Sequence, residues 1–140
     1  MSHTCKSLIL HCIDFRFGEA IKKYLEDNRL MNNCDIVSLA GAVKNLVSPI
    51  NPSYVEMVLR QIEISQKLHH ITQVILMNHT DCGAYGGHNA FESTGAEYTQ
   101  HVEDMKKAKK IIADKFSGLE IKMVLAKITP LGQVAFEEVW

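Results

Sequence analysis

Short segments typical of buried strands alternate along the chain with longer amphipathic segments. Strands are predicted over residues 7–12, 35–40, 73–78 and 121–125, and the third of these is a continuous apolar run. Amphipathic helices are predicted over 17–30, from 52 onward and over 97–116, because apolar residues recur there at helical spacing. A last strand is predicted over 134–139, where apolar and polar residues alternate. This order of strands and helices predicts an α/β fold with a mainly parallel sheet.

Two of the predicted strands end at residues that bind metals well. Cys12 closes the first strand, and His79 directly follows the third. In open parallel sheets, functional sites lie beyond the carboxyl ends of the strands. If the first and third strands are neighbours, they lie about 4.8 Å apart. Cys12 and His79 would then share one edge of the sheet, within reach of a single ion.

Two short motifs contain these residues. The first, C-x-D-x-R, runs from Cys12 to Arg16, and the second, H-T-x-C-G, runs from His79 to Gly83 and includes Cys82. Two thiolates and one imidazole are good ligands for zinc, and three protein ligands leave the fourth tetrahedral position open, as in catalytic sites. The sequence therefore predicts Zn²⁺ as cofactor, held by Cys12, His79 and Cys82.

Asp14 and Arg16 lie close to this predicted site. Two thiolates cancel the charge of a divalent ion, so the site would acidify its water less than an all-histidine site. The Asp14 carboxylate is placed to accept a proton from that water, but it could also bind the metal and block the open position. A bidentate contact with Arg16 would hold Asp14 ionised and away from the metal. Asp14 and Arg16 are therefore predicted as catalytic residues.

Length, composition and charge narrow the class of protein. The 140 residues predict one domain spanning 1–140, with 46% hydrophobic and 22% charged residues, an ordinary globular balance. The net charge is −1 and no basic stripe is present, so no nucleic-acid partner is predicted. No apolar run approaches the roughly 20 residues of a membrane span, and no membrane partner is predicted. A cytoplasmic location is expected, where the four cysteines would be free or metal-bound.

The two motifs together resemble those of the β-class carbonic anhydrases. The segment 75–83, Ile-Leu-Met-Asn-His-Thr-Asp-Cys-Gly, is particularly similar to a short subgroup of that family. The resemblance extends from about Lys6 to Gly83 and, more loosely, through the last strand. The pair of motifs at this separation is fairly specific, whereas either motif alone would be a weak signal.

The resemblance implies a three-layer fold with four parallel strands and one antiparallel edge strand. It implies an obligate homodimer or higher homo-oligomer that reversibly hydrates carbon dioxide to bicarbonate. It also implies Cys12, His79 and Cys82 as zinc ligands, and Asp14 with Arg16 as the catalytic pair.

The chain also departs from the family pattern. Family members usually carry R-N-A-G after the second strand, whereas this chain has Ser38-Leu39-Ala40-Gly41, which retains only Ala-Gly. The helical N-terminal arm that commonly wraps the neighbouring subunit is expected to be missing. Both departures are expected to affect substrate positioning, dimer strength and rate, and to leave the metal site intact.

Three alternative functions follow from the same residues. The first is hydrolysis of carbonyl sulfide or carbon disulfide, since the altered segment 38–43 makes the pocket more apolar. The second is a non-catalytic zinc-binding protein in which Asp14 stays on the metal. The third is a thiol phosphatase built on Cys12, but that loop needs C-x5-R with an internal glycine, and here the spacing is C-x3-R.

The remaining cysteines and histidines receive minor roles. Cys5 and Cys34 have no motif partner, and strand alternation sends His11 to the face opposite Cys12. His88, in the glycine-rich loop, is a secondary candidate for a proton shuttle or an extra ligand. Three further histidines on helical or turn segments are expected to be solvated; these are His69, His70 and His101.

Overall fold

Five strands form one sheet in the order β2-β1-β3-β4-β5. The computed structural model describes residues 2–140. The strands are β1 (Ser7–His11), β2 (Cys34–Ser38), β3 (Gln73–His79), β4 (Glu120–Ile128) and β5 (Val134–Val139). The helices are α1 (Gly18–Asp27), α2 (Lys44–Val47), α3 (Ser53–His69) and α4 (Thr94–Lys115), with short 3-10 turns at Phe15–Phe17, Gly83–Tyr85 and His88–Ala90.

The first four strands are parallel, and β5 pairs with β4 in the antiparallel sense at the edge of the sheet. The predicted α/β fold with four parallel strands and one antiparallel edge strand is therefore confirmed. β1 and β3 are direct neighbours, with Leu10 opposite Leu76. The carboxyl ends of these two strands thus lie side by side, as the placement of Cys12 and His79 requires.

Alternate residues of the central strands build two separate cores. On one face, Leu10 and Leu76 pack with apolar residues of α2, α3 and α4, such as Val58 and Met105. On the other face, residues such as Ile75 pack against the buried side of α1. Because both faces are covered, the central strands β1 and β3 are apolar over the middle of their length, which is typical of parallel sheets. Helix, sheet and helix form the three expected layers.

The predicted element boundaries agree with the structure to within a few residues at most ends. Three features were not predicted from the sequence: the short helix α2, the 3-10 turns of the glycine-rich loop, and the extension of β4 to Ile128. β4 extends because its last residues, 126–128, pair with β5 and continue the ladder. Within residues 2–140, none of the helices combines the length and the apolar character that a membrane span requires.

Replacing Leu76 by alanine is expected to lower the free energy of unfolding by about 2–5 kcal/mol, because it leaves a cavity in the central strand. The matched control is Leu68→Ala on α3, whose side chain is 62% exposed. That change should stay within about 0.5 kcal/mol. Urea denaturation followed by circular dichroism measures both variants, and equal losses would contradict this assignment of the core.

Candidate metal centre

Three potential metal ligands meet at the carboxyl edge of the sheet. Cys12 directly follows β1, His79 is the last residue of β3, and Cys82 lies three residues further on. All three side chains are buried, and their ligand atoms lie within 4.8 Å of one another. The Sγ atoms of Cys12 and Cys82 are 3.9 Å apart. Two zinc–sulfur bonds of about 2.3 Å at a tetrahedral angle would place two sulfurs about 3.8 Å apart.

The imidazole of His79 is oriented for metal binding. Its Nδ1 lies 2.7 Å from the carbonyl oxygen of Thr80, to which it donates, so Nε2 is the unprotonated nitrogen. Nε2 is buried and has no hydrogen-bond partner in the described part of the chain. The ring of Phe17 packs against the imidazole with 4.4 Å between centroids. Since buried polar atoms normally have partners, this nitrogen fits a ligand position, and the donor set fits zinc.

The pKa values of the two thiols shift in opposite directions. The contact with Cys82 lowers the pKa of Cys12, and His79 and the backbone N–H of Gly41 contribute further. The resulting Cys12 thiolate, together with burial, raises the pKa of Cys82. Burial disfavours the imidazolium of His79, but the Cys12 thiolate, the Thr80 carbonyl and the Asp14 carboxylate together outweigh burial and raise the pKa of that ring. Ionising both sulfurs at this separation requires a nearby cation.

Asp14 lies beside this cluster and is held by Arg16. Its carboxylate accepts hydrogen bonds from Arg16 Nη2 at 2.7 Å, from Nε at 3.1 Å and from the backbone N–H at 3.0 Å. These contacts hold the pKa of Asp14 below its usual value. Asp14 Oδ2 is also 3.8 Å from His79 Nε2. The carboxylate therefore stays ionised at the border of the cluster, turned towards the guanidinium.

Asp81, which the sequence motif leaves unspecified, is a second partner of Arg16. Arg16 Nη1 donates to Asp81 Oδ2 and Nη2 donates to the Asp81 carbonyl, both at 2.9 Å. Asp81 has a left-handed backbone, with φ of 55°, and its N–H donates to Glu97 at 2.6 Å. Its other carboxylate oxygen accepts the N–H of His88 at 2.8 Å. The guanidinium is thus clamped from two sides, and Asp81 joins the site to α4.

The expectation that His101 is solvated was wrong. His101 is fully buried, its Nδ1 accepts a hydrogen bond from Asn78 Nδ2 at 3.1 Å, and burial lowers its pKa to about 4. Glu97, one helical turn earlier, is also buried. The signal was present in the sequence, because Glu97 and His101 continue the inward face of Met105 and Ala108 at helical spacing. Helix α4 buries both residues, whereas a polar residue such as His101 is usually exposed.

The two other candidate histidines do not join the cluster of ligand atoms. His88 Nδ1 lies 2.5 Å from Glu97 Oε2, and its side chain is half exposed. His11 is half-buried, and its Nδ1 lies 2.8 Å from the carbonyl oxygen of Cys12. It lines a cavity of about 10 Å³ at the cluster, together with six other residues: Cys12, Phe17, Ile21, Met77, His79 and Ala126. A larger cavity of about 730 Å³ opens on the other side of Arg16 and Asp81.

The structure explains why glycine is retained at position 41. Gly41 has φ of 80°, and a Cβ atom there would lie 2.9 Å from the Cβ of Ala84. The same backbone conformation directs the N–H of Gly41 to Cys12 Sγ at 3.4 Å. Ser38 and Leu39 stand where the family pattern has Arg and Asn. Ser38 is exposed and Leu39 is half-buried. The segment that departs from the family pattern thus keeps its contact with the sulfur.

The fold is similar to that of solved carbonic anhydrases. The family model described as "Putative carbonic anhydrase" matches residues 2–128, and the chain belongs to that family. It is 37% identical over 118 residues to an uncharacterized protein of Rickettsia bellii, covering 82% of this chain and 72% of the relative. It is 30% identical over 134 residues to an uncharacterized protein of Rickettsia conorii, covering 94% and 72%.

Two solved structures have the same fold. A carbonic anhydrase from Streptococcus mutans superposes with a TM-score of 0.66 at 18% identity, covering 100% of this chain and 86% of that one. A tetrameric β-carbonic anhydrase from the ascomycete Sordaria macrospora gives a TM-score of 0.55 at 16% identity, covering 97% and 81%. At these identities the similarity establishes the fold, and the predicted resemblance is confirmed.

His101 is expected to make stability depend on pH between about 6.5 and 4. The unfolded chain takes up a proton near pH 6.5, whereas folded His101 does so only near 4. In this window the unfolded state binds more protons, so the free energy of unfolding falls as the pH is lowered, by up to about 1.4 kcal/mol per pH unit. In His101→Gln this slope should be shallower.

Urea denaturation of metal-free protein at several pH values measures this slope. His3→Gln, at an exposed histidine, is the control and should keep the slope of the unaltered chain. An unchanged slope in His101→Gln would contradict a neutral, buried imidazole.

Proposed function

We propose that this chain catalyses the zinc-dependent, reversible hydration of carbon dioxide to bicarbonate. The observation that carries the proposal is the position of Asp14. Its carboxylate borders the Cys12, His79 and Cys82 cluster, yet Arg16 holds it through four hydrogen bonds. A fourth ligand position left free beside an ionised carboxylate supports catalysis over a purely structural metal site.

Cys12, His79 and Cys82 are the residues that would hold the metal. When bound there, zinc would act as a Lewis acid and make water nucleophilic near neutral pH. Asp14 accepts the proton of the attacking water, and its contact with Arg16 keeps it in the ionised form that this role needs. Asp81 orients Arg16 from the other side. The residues of the chain thus position one proton acceptor and keep it off the metal.

The surroundings of the cluster favour a small, apolar substrate. The small cavity of about 10 Å³ at the cluster has mostly apolar walls, including Phe17, Met77 and Ala126. A space of this size is at the lower limit for one water molecule, so only a species of few atoms could react beside it. Carbon dioxide is both small and apolar. Carbonyl sulfide and carbon disulfide share its linear shape and belong in the same assay as competing substrates.

A homo-oligomer is part of the proposal. Ile13 and Phe15, on both sides of Asp14, are 63% and 90% exposed, which is unusual for apolar side chains next to a polar site. Contact with a second copy would cover them. The tetrameric assembly named for the Sordaria macrospora enzymes supports the same conclusion. Light scattering of Phe15→Ser against the unaltered chain tests it, and a monomeric unaltered chain would contradict it.

Asp14→Asn is expected to lower kcat for carbon dioxide hydration by about 10²–10⁴-fold, the usual contribution of a positioned proton acceptor. Zinc content should stay at the level of the unaltered chain, because the three ligand side chains are untouched. The matched control is Asp27→Asn on α1, where the carboxylate contacts Lys23 on the surface. Stopped-flow hydration assays and elemental analysis measure both quantities. Full activity in Asp14→Asn would exclude the assigned role.

Cys82→Ser is expected to abolish hydration, because it removes one of the two sulfur ligands and with it tight binding at this site. Comparing the turnover of carbon dioxide, carbonyl sulfide and carbon disulfide by the zinc-loaded, unaltered chain identifies the substrate. A zinc-loaded protein that is inactive on all three across a broad pH range would overturn the proposal and favour a non-catalytic role.

A further inference from the structure

A second cluster of metal-binding side chains lies at the opposite edge of the sheet. Cys5 precedes β1, Asp35 lies near the start of β2, and His69 ends α3. One ligand atom from each lies within 4.8 Å of the other two, as in the cluster of Cys12, His79 and Cys82. We propose that Cys5, Asp35 and His69 form a second site for a divalent transition metal of the zinc class.

The backbone holds these three residues together. The N–H of Cys5 donates to the carbonyl oxygen of His69 at 3.0 Å, which ties the segment before β1 to the end of α3. Parallel pairing sets Asp35 beside Leu8 of β1, three residues beyond Cys5. The three ligands therefore come from separate elements, and the fold itself brings them together. Chain flexibility is not required to assemble the site.

The side chains are also oriented towards one another. Asp35 Oδ2 lies 2.7 Å from His69 Nδ1 and accepts a hydrogen bond from Ser65 Oγ at 2.5 Å. The Cys5 sulfur lies within 4.8 Å of the ligand atoms of Asp35 and His69, and it donates to the carbonyl oxygen of Ser7 at 3.6 Å. Ser65 and His69 both contact the same carboxylate oxygen, Oδ2, and this fixes the carboxylate in the cluster. A metal ion would take the place of the protons that now join these atoms.

The donor chemistry suits a divalent transition metal. Sulfur, imidazole nitrogen and carboxylate oxygen are all zinc ligands. A Cys5 thiolate and the Asp35 carboxylate would cancel the two charges of the ion, and binding releases the thiol proton of Cys5. The side chains of His69 and Asp35 are 38% and 30% exposed, so an ion can enter from solvent. A half-exposed site of this kind binds and releases metal more readily than the buried cluster at the other edge.

The two clusters are independent of each other. They lie at opposite ends of β1, which has five residues at about 3.3 Å each, so roughly 16 Å separates them. A simpler role for the same residues is a hydrogen-bonded tie between α3 and β2. That role predicts a loss of stability on mutation but no metal, and the two roles can therefore be distinguished by counting bound metal.

Cobalt(II) is a suitable probe, because it binds sites of this kind and its thiolate complexes absorb light strongly. The experiment uses the full chain carrying Cys12→Ser and Cys82→Ser, which removes the sulfur ligands of the first cluster. Titration against a competing chelator should give one equivalent of cobalt per chain with a thiolate band, and zinc should displace it. Adding Cys5→Ser or His69→Gln should weaken binding at least tenfold and remove or shift the band.

Cys34→Ser is the matched control. Cys34 is adjacent to Asp35 in sequence, but its sulfur lies outside the cluster, so binding should persist. If the background variant does not fold by circular dichroism, the unaltered chain is titrated instead, and Cys5→Ser should lower its capacity from two equivalents to one. A capacity of one equivalent in the unaltered chain, or equal binding with and without Cys5, would overturn the second site. Neither result depends on catalytic activity.

Discussion

Parallel pairing of β1 with β3 is the constraint on which the candidate metal centre depends. Neighbouring parallel strands end at the same edge of a sheet, so the residue after β1 and the last residue of β3 must meet there. Cys12 and His79 are those two residues, although 67 positions separate their numbers. A strand inserted between β1 and β3 would move them apart by roughly 5 Å, beyond the reach of one ion. Strand order thus determines whether the motifs form a site at all.

Arg16 connects this edge to the rest of the molecule. Its guanidinium bonds Asp14 on one side and Asp81 on the other, and Asp81 in turn bonds the buried Glu97 of α4. The orientation of Asp14 therefore depends on a helix that begins more than seventy residues further along the chain. Ionic hydrogen bonds of this kind are strong when geometry is fixed on both sides. The same arrangement keeps the carboxylate ionised and turned towards the guanidinium.

Much of the fold was predictable, because apolar runs and helical spacing report directly on burial. The strands containing Leu10 and Leu76 and the last strand, Val134–Val139, were identified from the pattern alone. The contacts of the site were less predictable. Asp81 occupies an unspecified motif position, and Glu97 and His101 are polar residues on the inward face of α4. Polar residues are usually exposed, so the sequence pattern predicts a surface position for them even where the fold buries them.

The sequence by itself determined the class of protein and the candidate residues for its chemistry. Two motifs predicted Cys12, His79 and Cys82 as metal ligands and Asp14 with Arg16 as a pair. Such predictions are possible because residue type and spacing are local properties of the sequence. Only the tertiary structure decided which distant residues meet. It placed Asp81 against Arg16, and it brought Cys5, Asp35 and His69 together at the amino edge of the sheet. The physical reason is that strand order and helix packing, rather than any local pattern, determine contacts between separate elements.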